Sequence, residues 1–124
     1  MSHNLFQFIG NLTRDTDVRH SENSARAVFD LAVNRVWRNA AGAKQEQTDF
    51  FRIKSFGGLA ENAGKYLGKG SKVFVQGRIE PTKYEKDGKT EYGFDFIAEE
   101  IEYLDTKAPG GGQGSSQETE NIAR

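Results

Sequence analysis

Thr48-Asp49-Phe50-Phe51-Arg52-Ile53-Lys54-Ser55-Phe56 changes chemistry at every second residue. In an extended strand successive side chains point to opposite faces, so Phe50, Arg52, Lys54 and Phe56 share one face while Phe51 and Ile53 share the other. At about 3.3 Å per residue the first face spans roughly 20 Å. Two rings with two cations between them suit a flexible polyanion carrying flat bases, because bases stack on rings and phosphates pair with cations. The same pattern fits a sandwich strand whose aromatics fill a second small core, with the charges at its rim.

Reading outward, Arg26 to Trp37 alternates more cleanly, with Ala27, Phe29, Leu31 and Val33 on one face and Asp30 and Asn34 on the other. This predicts a half-buried strand. Asn39 to Lys44 is a small-residue tip containing Gly42, so the two strands form the arms of a long hairpin with Trp37 near its end. Upstream, Asn4 to Gly10 reads as a first strand, and Thr13 to Ser24 as a long polar connection holding Arg14, Asp15, Asp17 and Arg19. Downstream, Gly57-Gly58 stops the third strand, and Leu59, Ala60, Ala63 and Leu67 recur at helical spacing. One short helix is expected there, with Gly68 as its left-handed cap. Lys72 to Glu80 is a fourth strand, with Val73, Val75 and Ile79 opposite Phe74, Gln76 and Arg78. Asp87-Gly88 signals a hairpin that joins it, through Tyr84, to a last strand from about Glu91 to Leu104. The expected class is therefore all-β with one short helix, in the element order of the OB-fold, a five-stranded Greek-key barrel.

The 124 residues suffice for one domain and a core. We place that domain at residues 1–105 and expect residues 106–124, rich in Gly, Ser and Gln, to be a flexible tail. With 17 basic and 18 acidic residues the chain has no global field to attract a polyanion. Any such binding must come from local arrangement. There are no cysteines and two histidines, His3 and His20, which excludes disulfides and Cys-based zinc sites. No cofactor is expected. No segment reads as a signal peptide or membrane span, so a soluble, cytoplasmic protein without a membrane partner is expected. Neither histidine has a nucleophile or metal partner nearby and the carboxylates are scattered, so the chain is not expected to be an enzyme.

Ile9 to Asp15, Phe29 to Asn34, Gln47 to Phe51, Leu59 to Glu61 and Tyr66 to Val73, taken in order and spacing, resemble the bacterial single-stranded DNA-binding protein family from about Asn4 to Asp105. The resemblance implies an OB-fold that coats and protects single-stranded DNA without sequence preference during replication, recombination or repair. It also implies a homotetramer associated with the nucleoid. Stacking aromatics in this family occupy the positions of Trp37, Phe50, Phe56 and Tyr84. The first, second and fourth are commonly Trp, so Phe50 and Tyr84 keep the aromatic character with less area.

The residues support these four in different degrees. Trp37, the single Trp, lies between Arg35 and Arg38 in a polar hairpin; it either stacks on a ligand or folds onto its own hairpin. Tyr84 lies between Lys83 and Glu85, where an ordinary cross-strand aromatic is an equal alternative. The cations chosen for phosphate contact are Arg35, Arg38, Arg52, Lys54, Arg78 and Lys83, each beside a stacking candidate or on a strand face that can join the same groove. Arg14 and Arg19 are expected to pair with acidic neighbours. Glu80 and Thr82 stand near positions where the family often carries arginine, so the groove should be less basic there. Phe6, Phe8, Phe74, Phe94 and Phe96 are assigned to the core or to subunit contacts, their number suggesting an oligomer interface. The alternative is an accessory OB-fold subunit of a replication-restart or conjugation complex that binds protein or RNA. Relatives commonly end in an acidic cluster and a hydrophobic tip that docks replication and repair proteins. Here residues 106–124 balance Lys107 and Arg124 against Glu118 and Glu120, so such docking is not expected.

Overall fold

The computed structural model describes residues 2–110. Six strands and one helix follow in the order β1 (Phe6–Leu12), β2 (Asp17–Ser21), β3 (Ser24–Arg38), β4 (Lys44–Phe56), α1 (Gly58–Tyr66), β5 (Lys72–Lys86) and β6 (Lys89–Asp105). Five of the strands close a ring, β1-β5-β6-β4-β3, because β1 also pairs with β3 through Asn11↔Ala32 and Leu12↔Leu31. β2 adds to the outer edge of β3. This is the five-stranded Greek-key arrangement read from the element order, with the helix between the third and fourth strands of the ring.

The period-2 pattern sets what lies inside. Ala27, Phe29 and Leu31 of β3, Ile53 of β4, and Val73 and Val75 of β5 are all at most 1% exposed. Each large side chain among them contributes about 1.5–3 kcal/mol by leaving water. α1 closes the end of the ring with Ala60 and Ala63, followed by Leu67, all fully buried. A ribbon of rings fills the space between β1, β4 and β6. Phe8 stacks on Phe51 at 4.1 Å, and Phe96 meets both edge-on at 5.3 and 5.5 Å. Phe6 joins Phe8 at 5.0 Å, so Phe6, Phe8 and Phe96 belong to the core as assigned. At Gly77 the β5 backbone runs so close to the Ile97 carbonyl that no Cβ fits.

Three local expectations need correction. Thr13 to Ser24 is not a plain connection, since Asp17–Ser21 is a strand paired from Asp17↔Val28 to Ser21↔Ser24. Only Val18 of its five residues is even half-buried, so alternation could not betray it; β3 supplies the ladder and α1 the apolar contact. The fourth strand does not stop at Glu80: β5 and β6 run to a tight turn with Asp87 and Gly88 at φ 52° and 76°. Gly68 is not the left-handed cap. The helix ends into extended Leu67, the positive φ of 90° belongs to Gly70, and Gly68 is required because a Cβ would lie 2.7 Å from the backbone of Lys107 and Ala108.

That contact shows residues beyond Asp105 seated on the ring. The Ser71 hydroxyl donates to the Lys107 carbonyl at 3.1 Å and accepts the Lys107 N–H at 2.9 Å. Asp15 accepts the N–H groups of both Lys69 and Gly110. The rest of the tail, residues 111–124, lies outside the described residues. No described helix is long and apolar enough to cross a membrane.

Candidate nucleic-acid interface

The β3–β4 register fixes which side chains share a surface. Phe56, Lys54, Arg52 and Phe50 stand beside Arg26, Val28, Asp30 and Ala32 on the outer face. Ile53 and Ser55, between them in sequence, are fully buried, whereas Phe50 is 66% and Phe56 49% exposed. The aromatics of this face therefore fill no second core: nothing covers them among the described residues. Along the sheet, β4 meets β6 in parallel at only Ile53↔Phe96 and Lys54↔Ile97. Lys54 bonds Asp95 across this seam at 2.9 Å. Beyond β6 the same face carries Arg78, Glu80, Thr82 and the half-exposed Tyr84 of β5.

Trp37 stands apart from the other three. In the register it lies opposite Gln45, on the face that deeper in the ring holds Leu31 and Phe51. There it extends the inner surface out along the hairpin arm, 40% exposed, with the Arg35 guanidinium 5.0 Å from its ring centre. Lys83 likewise lies on the inner-face continuation of the β5–β6 arm, opposite Tyr92. The ten chosen residues thus divide between the two faces of two projecting hairpins.

The cations are not bare. Arg52 bonds Asp30 at 3.0 Å, and Arg14 reaches the same carboxylate at 2.9 Å. Arg35 bonds Asp49 at 2.7 Å. Arg78 bridges Glu80 and Glu99 at 2.7 and 2.9 Å. Arg38 donates to the Gly42 carbonyl, and Lys83 has no ion pair among the described residues. Hydrogen bonds from Arg52 and from Arg35 hold the carboxyls of Asp30 and Asp49 below the usual carboxylate range. Exposed pairs of this kind are weak, because water screens them and holding two long side chains costs entropy, so another anion can displace the carboxylate. The expectation that Arg19 pairs with a sequence neighbour, Asp17, is met at 3.4 Å; Arg14 instead finds Asp30 across the fold.

Of the two places assigned to Phe94, core or subunit contact, the core is excluded: Phe94 is 70% exposed and lines a cleft of about 340 Å³ with Phe50, Phe51, Arg52, Lys54, Asp95 and Phe96. It continues the inward parity of Phe96, which misleads because β6 has left the ring by Phe94 and entered the hairpin arm. Tyr92, 75% exposed, repeats the pattern one step further out. The described residues contain no group of three or more His, Asp or Glu placed to hold a metal.

Comparison with known proteins agrees with this geometry. The sequence pattern of the single-strand binding protein family matches residues 3–104. A single-stranded DNA-binding protein of Oceanobacillus iheyensis is 41% identical over 115 residues, covering 91% of this chain and 70% of that protein. One from Staphylococcus aureus is 42% identical over 101 residues, 80% of this chain and 64% of its own. Among solved structures, the single-stranded DNA-binding protein of Thermus aquaticus, as a deletion mutant, superposes with a TM-score of 0.75 at 32% identity, over 83% of this chain and 51% of that one. A Plasmodium falciparum protein in complex with single-stranded DNA gives a TM-score of 0.76 at 26% identity, over 85% and 97%. The ring is therefore an OB-fold, and the chain belongs to the single-strand binding protein family.

Proposed function

We propose that this chain binds and protects single-stranded DNA without sequence preference, in replication, recombination or repair, as a non-catalytic homotetramer of the bacterial cytoplasm and nucleoid. The observation that carries the reading is the outer face of β4: Phe50 and Phe56 stand exposed with Arg52 and Lys54 between them, while Ile53 and Ser55 are buried and Phe51 half-buried on the other face. Bases stack on Trp37, Phe50, Phe56 and Tyr84; phosphates meet Arg35, Arg38, Arg52, Lys54, Arg78 and Lys83. Stacking is worth about 1–3 kcal/mol per base and is indifferent to which base stacks. Phosphate exchanges with the carboxylates already holding four of these cations, so charge steers and stacking holds. Relatives named for single-stranded DNA binding favour this over the accessory-subunit alternative. The exposed Leu5 and Ile9 at β1, where β3 covers only Asn11 and Leu12, offer an apolar edge for subunit contacts.

The test is protection of a labelled single strand from nuclease, with sedimentation in parallel. Protection by a tetramer, undiminished by excess duplex DNA or folded RNA, is the expected result. Equal competition by duplex would refute it.

A further inference from the structure

We propose that Phe94 and Phe50 form a slot for a single unpaired base at the seam between β4 and β6, with Lys54 and Asp95 in its polar lining and Phe51 and Phe96 in its apolar lining. This rests on the single-strand binding proposed above.

The slot exists because β4 and β6 part company. They pair at just two positions, Ile53↔Phe96 and Lys54↔Ile97, and the space they open is the cleft of about 340 Å³ described above. That volume lies at the small end of the range for ligand pockets. Phe50 and Phe94, both lining it, are solvated, at 66% and 70%. Phe94 has no ring partner among the described residues, whereas Phe6, Phe8, Phe51 and Phe96 each have at least two among themselves. A phenyl ring so placed on a polar hairpin has unused stacking area on a surface otherwise rich in charge.

The polar lining matches the edge of a base. The Lys54 ammonium and the Asp95 carboxylate lie 2.9 Å apart, with side chains 32% and 28% exposed. They present one donor beside one acceptor. Each of the four bases shows an adjacent donor and acceptor on its Watson–Crick edge, so this pair can serve any of them without selecting one. In a duplex that edge is already engaged and the faces are stacked, so paired DNA is excluded. Arg52, also in the lining and held by Asp30, would take the adjoining phosphate.

The test moves the indole into the slot. In the double variant Trp37→Phe, Phe94→Trp, saturating oligothymidylate should quench the emission of the new Trp, as it should quench Trp37 in the unaltered protein. Phe94→Ala should weaken binding about 5- to 150-fold, the loss of one stacked base, with oligomeric state and thermal midpoint unchanged. Phe94→Tyr should retain affinity. An unquenched indole at position 94, with Trp37 quenched in the unaltered protein, would overturn the slot alone. So would a change of oligomeric state in Phe94→Ala, which would make Phe94 a subunit contact. No quenching in either protein would overturn the binding reading and the slot with it.

Discussion

Phe50 and Phe51 are neighbours in sequence and opposites in consequence. Phe50→Ala removes a ring that is 66% exposed and buries nothing of the core, so folding stability should change by less than about 0.5 kcal/mol. Its cost falls on binding, where loss of one stacked base is worth about 1–3 kcal/mol, or roughly 5- to 150-fold in Kd. Phe51→Ala removes a half-buried ring that stacks on Phe8 at 4.1 Å and meets Phe96 edge-on at 5.5 Å. A fully buried Phe costs about 3–5 kcal/mol on truncation to Ala. Partial exposure lowers this, while the lost ring contacts restore about 0.5–1.5 kcal/mol beyond area alone. Expecting a net loss of about 2–4 kcal/mol is therefore reasonable for Phe51. Urea unfolding and oligonucleotide titration on both variants separate the two effects. If Phe51→Ala keeps its urea midpoint and loses binding, while Phe50→Ala does the reverse, the faces of β4 are assigned backwards and the interface with them.

Asp30 neutralises both Arg52 and Arg14, so Asp30→Asn should tighten binding of single-stranded DNA several-fold at low salt, by on the order of 1 kcal/mol; weaker binding would show that Asp30 positions Arg52 productively. The depressed carboxyls of Asp30 and Asp49 contribute stability that is present above their unfolded values near pH 4 and lost as pH falls through the lower folded values. Acid titration followed by circular dichroism should accordingly show a shallower loss below pH 4 in Asp30→Asn than in the unaltered protein. Ser71→Ala removes both hydrogen bonds to the Lys107 backbone from a fully buried hydroxyl and should lower stability by about 1–3 kcal/mol. Truncation after Asp105 should cost a similar amount, and the two changes together little more than either alone; an unchanged urea midpoint after truncation would show that the seat at Ser71 contributes nothing.

Much of this was legible in residue order, for identifiable reasons. The strands β1, β3, β4 and β5 announce themselves because each has one buried face, and alternation follows burial; β6, where Ile97 and Ala98 are both buried in succession, is marked instead by the Asp87-Gly88 turn before it. β2 escaped because its single inward residue, Val18, makes no period, and its ladder is supplied by β3. Phe50, Phe56, Trp37 and Tyr84 could be picked out as exposed aromatics beside cations. Phe94 could not, since its parity is that of Phe96 and nothing local marks where β6 leaves the ring. Ion pairing was the other blind spot: Arg52 and Arg14 reach Asp30, and Lys54 reaches Asp95, across distances in sequence that no spacing rule reads. Gly68 looked like a cap because it follows a helix, yet what demands it is the returning backbone at Lys107 and Ala108.

The most direct test of the central claim uses the single Trp. Titrating the protein with a homopolymeric single strand at rising salt should quench Trp37 to saturation, with a log–log salt slope of about −0.7 for every phosphate contacted. Similar affinity for oligothymidylate and oligocytidylate, with duplex of equal length far weaker, is the result predicted. Unquenched Trp37, or equal affinity for duplex, would contradict it.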